Sequence, residues 1–283
     1  MYVNEFQRNT VIVSAVNAGY VEMALNWLES IQRAGINVET IIYALDPEAY
    51  RKLEMYGVDT LLWEGDTFSQ TPPKLATFRS DDWNKIMYQR IEIVNSLLLS
   101  GQNVLFSDCD IVFLNNPIPY FAEVTSKGYE LLFQSDWGGD YDTLYRLCAG
   151  FYFAIPSKKT IELLTVAPEN AINSDQYYFN EILGKSGKKI FSVYILPIDK
   201  FPNGRYWSQK KADTKYPYIV HYNWVKGVGT KFRQMINDGH WYTSKTPEEL
   251  SPEEMLNSTH LGLVSRIICK ALRKIIHHLE HRN

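Results

Sequence analysis

Asp108 and Asp110, separated by Cys109, close the apolar run Val104-Leu105-Phe106 and are followed at once by Ile111-Val112-Phe113-Leu114. On an extended backbone, residues two apart project to one face, so the two carboxylates would leave a buried strand together. Two hard oxygen donors so placed suit a divalent cation, Mn2+ or Mg2+, which commonly keeps coordination positions for substrate phosphates. The chemistry in outline is a metal held against a diphosphate.

Spacing alone does not decide this. Fourteen Asp in 283 residues produce about 0.7 such pairs by chance. A second pair, Asp140 and Asp142, does follow Gly138-Gly139 in a polar stretch that reads as loop, where acids are normally just solvated. Context separates the two. The first pair has apolar residues on both sides, a long helical pattern before it, and Asn115-Asn116-Pro117 ending the strand after it.

The elements that must position the pair follow from periodicity. Residues 11–16, β-branched and apolar, read as a buried first strand with Asn17-Ala18-Gly19-Tyr20 as its turn. Met23, Leu25, Trp27, Leu28 and Ile31 then give a helical face closed by Gly35, and residues 40–45 give a second strand. Asp46-Pro47 reads as N-cap plus first residue of a helix closed by Gly57. After a loop over 66–80, residues 83–100 form a helix whose Ile86, Met87, Arg90, Ile91, Val94, Leu97 and Leu98 recur at three and four. That helix feeds the acidic strand directly. Residues 130–134 and 150–155 are further strands, and 160–164 and 175–183 further helices. Alternation of this kind specifies an α/β/α sandwich around a mainly parallel sheet.

Composition bounds the function. The chain can bury a sizeable core, and its formal charge of -3 argues against a nucleic-acid groove. Its 19 Tyr and 7 Trp supply ring surfaces suited to small or glycan-like partners, and equally to a generous core. Cys109, Cys148 and Cys269 form no CxxC pair, so neither a disulfide framework nor a zinc cluster is indicated and a reducing compartment is the default. With no signal-like N-terminus and no long apolar window, the expected location is cytoplasmic.

Residues 1–243 read as one catalytic domain and 244–283 as a helical extension. From Leu261 onward, Val264, Ile267, Ile268, Ala271, Leu272, Ile275, Ile276 and Leu279 make an apolar stripe, with Arg266, Lys270, Arg273, Lys274 and His277 opposite. Residues 261–283 could thus lie peripherally on an anionic membrane, or dock on the domain or a second copy of the chain.

The order of pieces resembles the GT-A nucleotide-diphospho-sugar glycosyltransferases, and most of all the family that includes plant pectin xylosyltransferases and extensin arabinosyltransferases. The likeness is carried by Lys85, by residues 101–117 (GQNVLFSDCDIVFLNNP), by Ala149-Gly150-Phe151-Tyr152-Phe153, by Asp175-Gln176, and by His221-Tyr222-Asn223-Trp224-Val225-Lys226-Gly227. The long central motif is specific; the others gain value from coming in the right order.

The resemblance implies a GT-A fold and transfer of a sugar from a UDP-sugar to a hydroxyl of a glycan or glycoprotein. Asp110 would hold Mn2+ or Mg2+, Asp108 would sit nearer the ribose, and His221 would complete the metal shell. Lys226, Gly227 and Lys231 would lie against the phosphates. Ala15, Asn17, Gly19 and Tyr20 would hold uridine and ribose, with Lys85 and Asn223 among the donor contacts. Arg90, five residues from Lys85, cannot share its direction squarely and reads as a structural charge. Asp136, Asp175 and Gln176 correspond to positions flanking the transferred sugar, where a retaining enzyme uses either a nucleophilic carboxylate or same-face attack assisted by the leaving phosphate. Cys148 departs from the family, which commonly has Asn before Ala-Gly, and leaves the donor sugar open. The alternative is a non-catalytic sugar-nucleotide or glycan-binding module of the same fold. A nucleotidyltransferase would want a basic Gly-rich loop after the first strand, which residues 17–20 do not provide.

Overall fold

The computed structural model describes residues 2–65, 80–136, 146–165, 174–183, 191–211 and 213–245. The loop over 66–79, the pair Asp140 and Asp142, and the amphipathic stretch 261–283 lie outside the described residues.

Seven strands form the central sheet: β1 (Thr10–Val16), β2 (Glu39–Ala44), β3 (Thr60–Leu62), β4 (Asn103–Ser107), β6 (Leu131–Ser135), β7 (Leu147–Ala154) and β8 (Val193–Leu196). Their spatial order is β3-β2-β1-β4-β7-β6-β8. The pairings β1/β2, β1/β4, β2/β3 and β6/β8 are parallel, while β7 runs antiparallel to both β4 and β6. The sheet is thus mainly parallel, as its alternating sequence demands.

Alternation along β1 splits the core. Ile12 points into a cluster with Met23, Trp27 and Ile31 of α2 (Val21–Arg33), Ala49 and Leu53 of α3 (Pro47–Met55), and Phe121 of α5 (Ile118–Ser126). Val11 and Val13 point the other way, to Ile91 and Val94 of α4 (Asp81–Leu99), Leu163 of α6 (Lys158–Leu164) and Phe179 of α7 (Asp175–Ile182). Both faces are covered, which gives three layers. Caps end the helices where the sequence places them. Asp46 accepts from the amides of Glu48 and Ala49 at the start of α3, and Gly35, Gly57 and Gly101 follow helices with positive φ. An N-terminal helix, α1 (Tyr2–Arg8), lies ahead of the first predicted strand.

The acidic pair is not on an extended strand. β4 ends at Ser107, Asp108 to Asp110 form a tight turn with the Ile111 amide donating to the Asp108 carbonyl at 3.3 Å, and β5 (Ile111–Phe113) starts a second, two-stranded sheet. Its antiparallel partner is β9 (Ile219–His221), with Ile111 opposite His221. An apolar run unbroken on both sides of the pair reads as one strand, and the change of sheet is what the sequence hides. β9 is preceded by α8 (Gly204–Lys210) and followed by α9 (Val228–Asn237).

Candidate active site

The β5/β9 pairing brings His221 to the acidic turn. His221 Nε2 lies 3.2 Å from Asp110 Oδ1 and 3.9 Å from Asp108 Oδ2. His221 is 1% exposed and Asp110 5%. The imidazole tautomer follows from its other side. Gln134 on β6 donates its amide nitrogen to the Phe201 carbonyl at 3.0 Å, which turns its Oε1 to His221 Nδ1 at 2.7 Å, so Nδ1 carries the proton. Nε2 is left with a lone pair facing a carboxylate oxygen, and neither atom has a hydrogen-bond partner.

Two buried acceptors at 3.2 Å repel unless a cation joins them. One ligand atom each from Asp108, Asp110 and His221 lie within 4.8 Å of one another. The residues present therefore fit a divalent metal, with one imidazole nitrogen and two carboxylates. The wall of this cradle is Gly150 on β7. A Cβ there would run into Asp108 Oδ2 and stand 2.7 Å from His221 Cε1. Only a residue without a side chain leaves room for the cluster.

Charges around the turn are sharply divided. Lys231 on α9 donates to Asp110 Oδ2 at 2.5 Å. Burial works against the Asp110 charge, but the Lys231 ammonium beside it prevails and the carboxyl is held well below its usual range. Burial likewise opposes the Lys231 ammonium, and Asp110 more than offsets it, so its pKa is raised. Lys231 also sits 6.0 Å from the Tyr20 ring centre, and burial pushes the Tyr20 hydroxyl up to about 12. For Asp108 burial prevails, and its pKa is raised despite Arg90.

Arg90 is a buried charge paired within the fold, as the sequence suggests, and its partners are what the sequence does not name. It reaches from α4 to the acidic turn. Its NH2 nitrogen is 2.9 Å from Asp108 Oδ1 and 3.0 Å from the Ala149 carbonyl, and its Nε is 3.4 Å from Asp175 Oδ2. Its guanidinium also lies 4.6 Å from the Phe106 ring centre. The signal was present in the sequence, as an arginine inside the apolar stripe of Met87, Ile91 and Val94. Gln134, which orients His221, carried no such signal.

A second cluster lies beyond His221. Asp136 accepts from Asn223 Nδ2 at 3.0 Å and from Gln176 Nε2 at 3.1 Å, and Asn223 Oδ1 accepts the Gly204 amide at 3.0 Å. Burial raises the Asp136 pKa. Cys148 Sγ stands 3.7 Å from both His221 Nδ1 and Asn223 Nδ2, bridging the two clusters. Asp175 is 3% exposed and faces Arg90 and the Gln176 amide rather than open space.

The other expected positions are placed as follows. Ala15 is the penultimate residue of β1, in register with Tyr43, and Asn17 is buried at the start of the turn over Ala18–Tyr20, whose first amide donates to Asp46 Oδ2 at 2.9 Å. Lys85 meets Asp82 at 3.7 Å near the start of α4. Lys226 is exposed, and Gly227, at φ +81, begins α9 with no side-chain cap on its first amides.

A mainly parallel sheet covered on both faces, with an acidic turn and a histidine where β4 leaves it, defines a GT-A architecture. The solved structure of galactosyltransferase LgtC with donor and acceptor sugar analogs shares it, at TM-score 0.56 and 14% identity over 84% of this chain and 98% of that one. The chain belongs to the nucleotide-diphospho-sugar transferase family, whose model matches residues 36–235.

Among curated relatives, the beta-arabinofuranosyltransferase RAY1 of Arabidopsis thaliana is 25% identical over 83% of this chain and 48% of its own length. The UDP-galactose:fucoside alpha-3-galactosyltransferase of Dictyostelium discoideum is 27% identical over 85% and 44%. The UDP-D-xylose:L-fucose alpha-1,3-D-xylosyltransferase MGP4 of Arabidopsis thaliana is 26% identical over 83% and 71%. The chain thus spans about half the length of the first two relatives.

Proposed function

We propose that the chain transfers a sugar from a UDP-sugar to a hydroxyl of a glycan or glycoprotein, with a divalent metal and with retention of anomeric configuration. The observation that carries this reading is the facing pair of partnerless acceptors, His221 Nε2 and Asp110 Oδ1, beside a lysine that already neutralises the other Asp110 oxygen. UDP-sugar donors and saccharide acceptors appear in the names of the galactosyl- and xylosyltransferase relatives, which supports the donor and acceptor classes.

Asp108, Asp110 and His221 would hold Mn2+ or Mg2+, which when bound supplies neutralisation of charge on the departing diphosphate. This chain's own groups do the rest. Lys231 and the free amides at the start of α9 face the same phosphates, with Gly227 allowing close approach. Tyr20, Asn17 and Ala15, at the end of β1, bound the nucleoside side. Asp136, Asn223 and Gln176, on the far side of His221, bound the transferred sugar. Asp175 is turned into Arg90, and both Asp136 oxygens already accept hydrogen bonds. Same-face attack, with the leaving phosphate taking the acceptor proton, therefore fits better than a glycosyl-enzyme.

The test is UDP release from a panel of UDP-sugars with Mn2+, with Mg2+ and with EDTA, together with NMR of the product anomer. Release that needs metal and vanishes in the Asp108→Asn/Asp110→Asn double variant is expected. Turnover indifferent to EDTA and to that variant overturns the metal reading, and an inverted product overturns retention.

A further inference from the structure

The inference rests on the donor site just described and names what lies across from it. A chain of contacts links the site: Tyr20 to Lys231, Lys231 to Asp110, Asp110 to His221, His221 to Cys148, Cys148 to Asn223, and Asn223 to Asp136. The last member is Trp224, whose indole Nε1 donates to the Asp136 carbonyl at 3.2 Å.

Eight large apolar side chains are exposed among the described residues, and Trp224, at 46%, is the one whose ring is hydrogen-bonded to this cluster. Exposure of an indole leaves a large apolar face in water, and a merely tolerated surface ring gains nothing from fixed orientation. This ring is fixed. Its nitrogen is tied to Asp136, and the Arg205 guanidinium lies 5.6 Å from its centre. A cation near an aromatic face draws on the ring quadrupole and holds the ring in place.

We propose that Trp224 is the platform of an acceptor subsite, and that the acceptor is a glycoside whose terminal sugar ring stacks on the indole. One face of a sugar ring presents C–H groups of slight positive polarity, which match the negative face of an aromatic ring, while its hydroxyls point to the rim. Asp136 and Asn223 stand at that rim, so a hydroxyl of the stacked ring is delivered toward the transferred sugar. A serine or threonine hydroxyl of a bare polypeptide would leave the indole uncovered. The chemistry of the subsite thus favours a saccharide over a peptide.

The experiment uses Trp224→Ala and Trp224→Phe beside the parent chain, with a panel of p-nitrophenyl glycosides and a Ser/Thr-rich peptide as acceptor probes. Expected are UDP release stimulated by at least one glycoside and not by the peptide, and an acceptor KM raised about tenfold in Trp224→Ala. Trp224→Phe should recover most of that loss, with donor KM moved much less than acceptor KM. Saturation-transfer NMR on the matching methyl glycosides provides a readout without turnover: transfer to sugar ring protons should be strong in the parent and lost in Trp224→Ala. Stimulation by the peptide alone, an acceptor KM unmoved by Trp224→Ala, or saturation transfer indifferent to that change overturns the proposal. Failure of all UDP-sugars to release UDP overturns the donor reading instead, and the saturation-transfer arm still decides on Trp224.

Discussion

Gly150 and Asp108 are locked face to face. The Asp108 amide donates to the Gly150 carbonyl at 2.7 Å, and a Cβ on Gly150 would overlap Asp108 Oδ2. β7 is buried throughout and pairs with β4 just before the acidic turn, so the strand cannot retreat from an added methyl. Gly150→Ala should therefore push Asp108 off the cluster while leaving the fold intact. Mn2+ affinity, measured by titration calorimetry, is expected to fall by about 10- to 100-fold, with the far-UV circular dichroism unchanged. Unaltered affinity would mean that Asp108 is not a ligand.

Much of this arrangement was legible beforehand because local rules agreed with the fold. Asp46-Pro47 caps α3, glycines with positive φ follow α2, α3 and α4, and the acidic pair sits where the apolar run of β4 ends. What stayed hidden depends on contacts distant in sequence. His221 is 111 residues from Asp110 in the chain, and only the β5/β9 register brings them together. Resemblance could name it, whereas periodicity could not. Arg90 reads as a structural charge, but an arginine within an apolar stripe has no visible partners until Asp108 and Asp175 fold against it. The turn at Asp108 was masked because β4 and β5 are both apolar and abut.

Gln134 should matter to the metal without touching it. Its Oε1 fixes the His221 tautomer at 2.7 Å, and Leu at this position removes the acceptor while keeping comparable bulk. Gln134→Leu should weaken Mn2+ binding by about 10- to 100-fold. It also strands the Phe201 carbonyl, which costs about 1–3 kcal/mol of stability. Calorimetry and urea unfolding separate the two effects, and a loss of stability with unchanged affinity would show that the tautomer is set in another way.

Arg90 is buried between two carboxylates, one of them, Asp175, on a side chain only 4% exposed. Arg90→Met leaves both without their cation, Asp175 closed off from water and Asp108 partly open to it. Breaking a buried pair from one side costs about 3–5 kcal/mol, which a urea midpoint reads directly. Arg90→Lys should recover part of that stability, because it restores charge but not the two-pronged geometry. A methionine variant as stable as the parent would show that Asp108 and Asp175 take up protons at no net cost.

If same-face attack is the route, no sugar becomes attached to the protein. Asp175 Oδ1 accepts the Gln176 amide at 2.7 Å, and its other oxygen faces Arg90 Nε at 3.4 Å, so neither is poised toward the far side of His221. Intact mass spectrometry after rapid quench with a reactive UDP-sugar should show the parent mass alone. An increment of one sugar residue mapped to Asp175 or Asp136 would establish the covalent route and reverse the assignment.

Stability should depend on pH through a cluster behind β9. His240, 8% exposed, places Nδ1 2.7 Å from the Tyr222 hydroxyl, and that hydroxyl donates to Asp238 at 3.0 Å. Burial lowers the His240 pKa, partly countered by Asp238. The folded chain therefore binds this proton less readily than the unfolded chain, whose histidine titrates near about 6.5. The imidazole's contribution is complete above that value and is lost as pH falls from it toward the depressed folded pKa. Asp238, held below its usual range despite burial by Lys211, Trp207 and Tyr222, adds a loss of the same sign at lower pH. Urea unfolding between pH 7.5 and 5.5 should show stability falling by up to about 1.4 kcal/mol per pH unit from this group, and His240→Asn should flatten the slope by that amount. An equal slope in the two proteins would place the titration elsewhere.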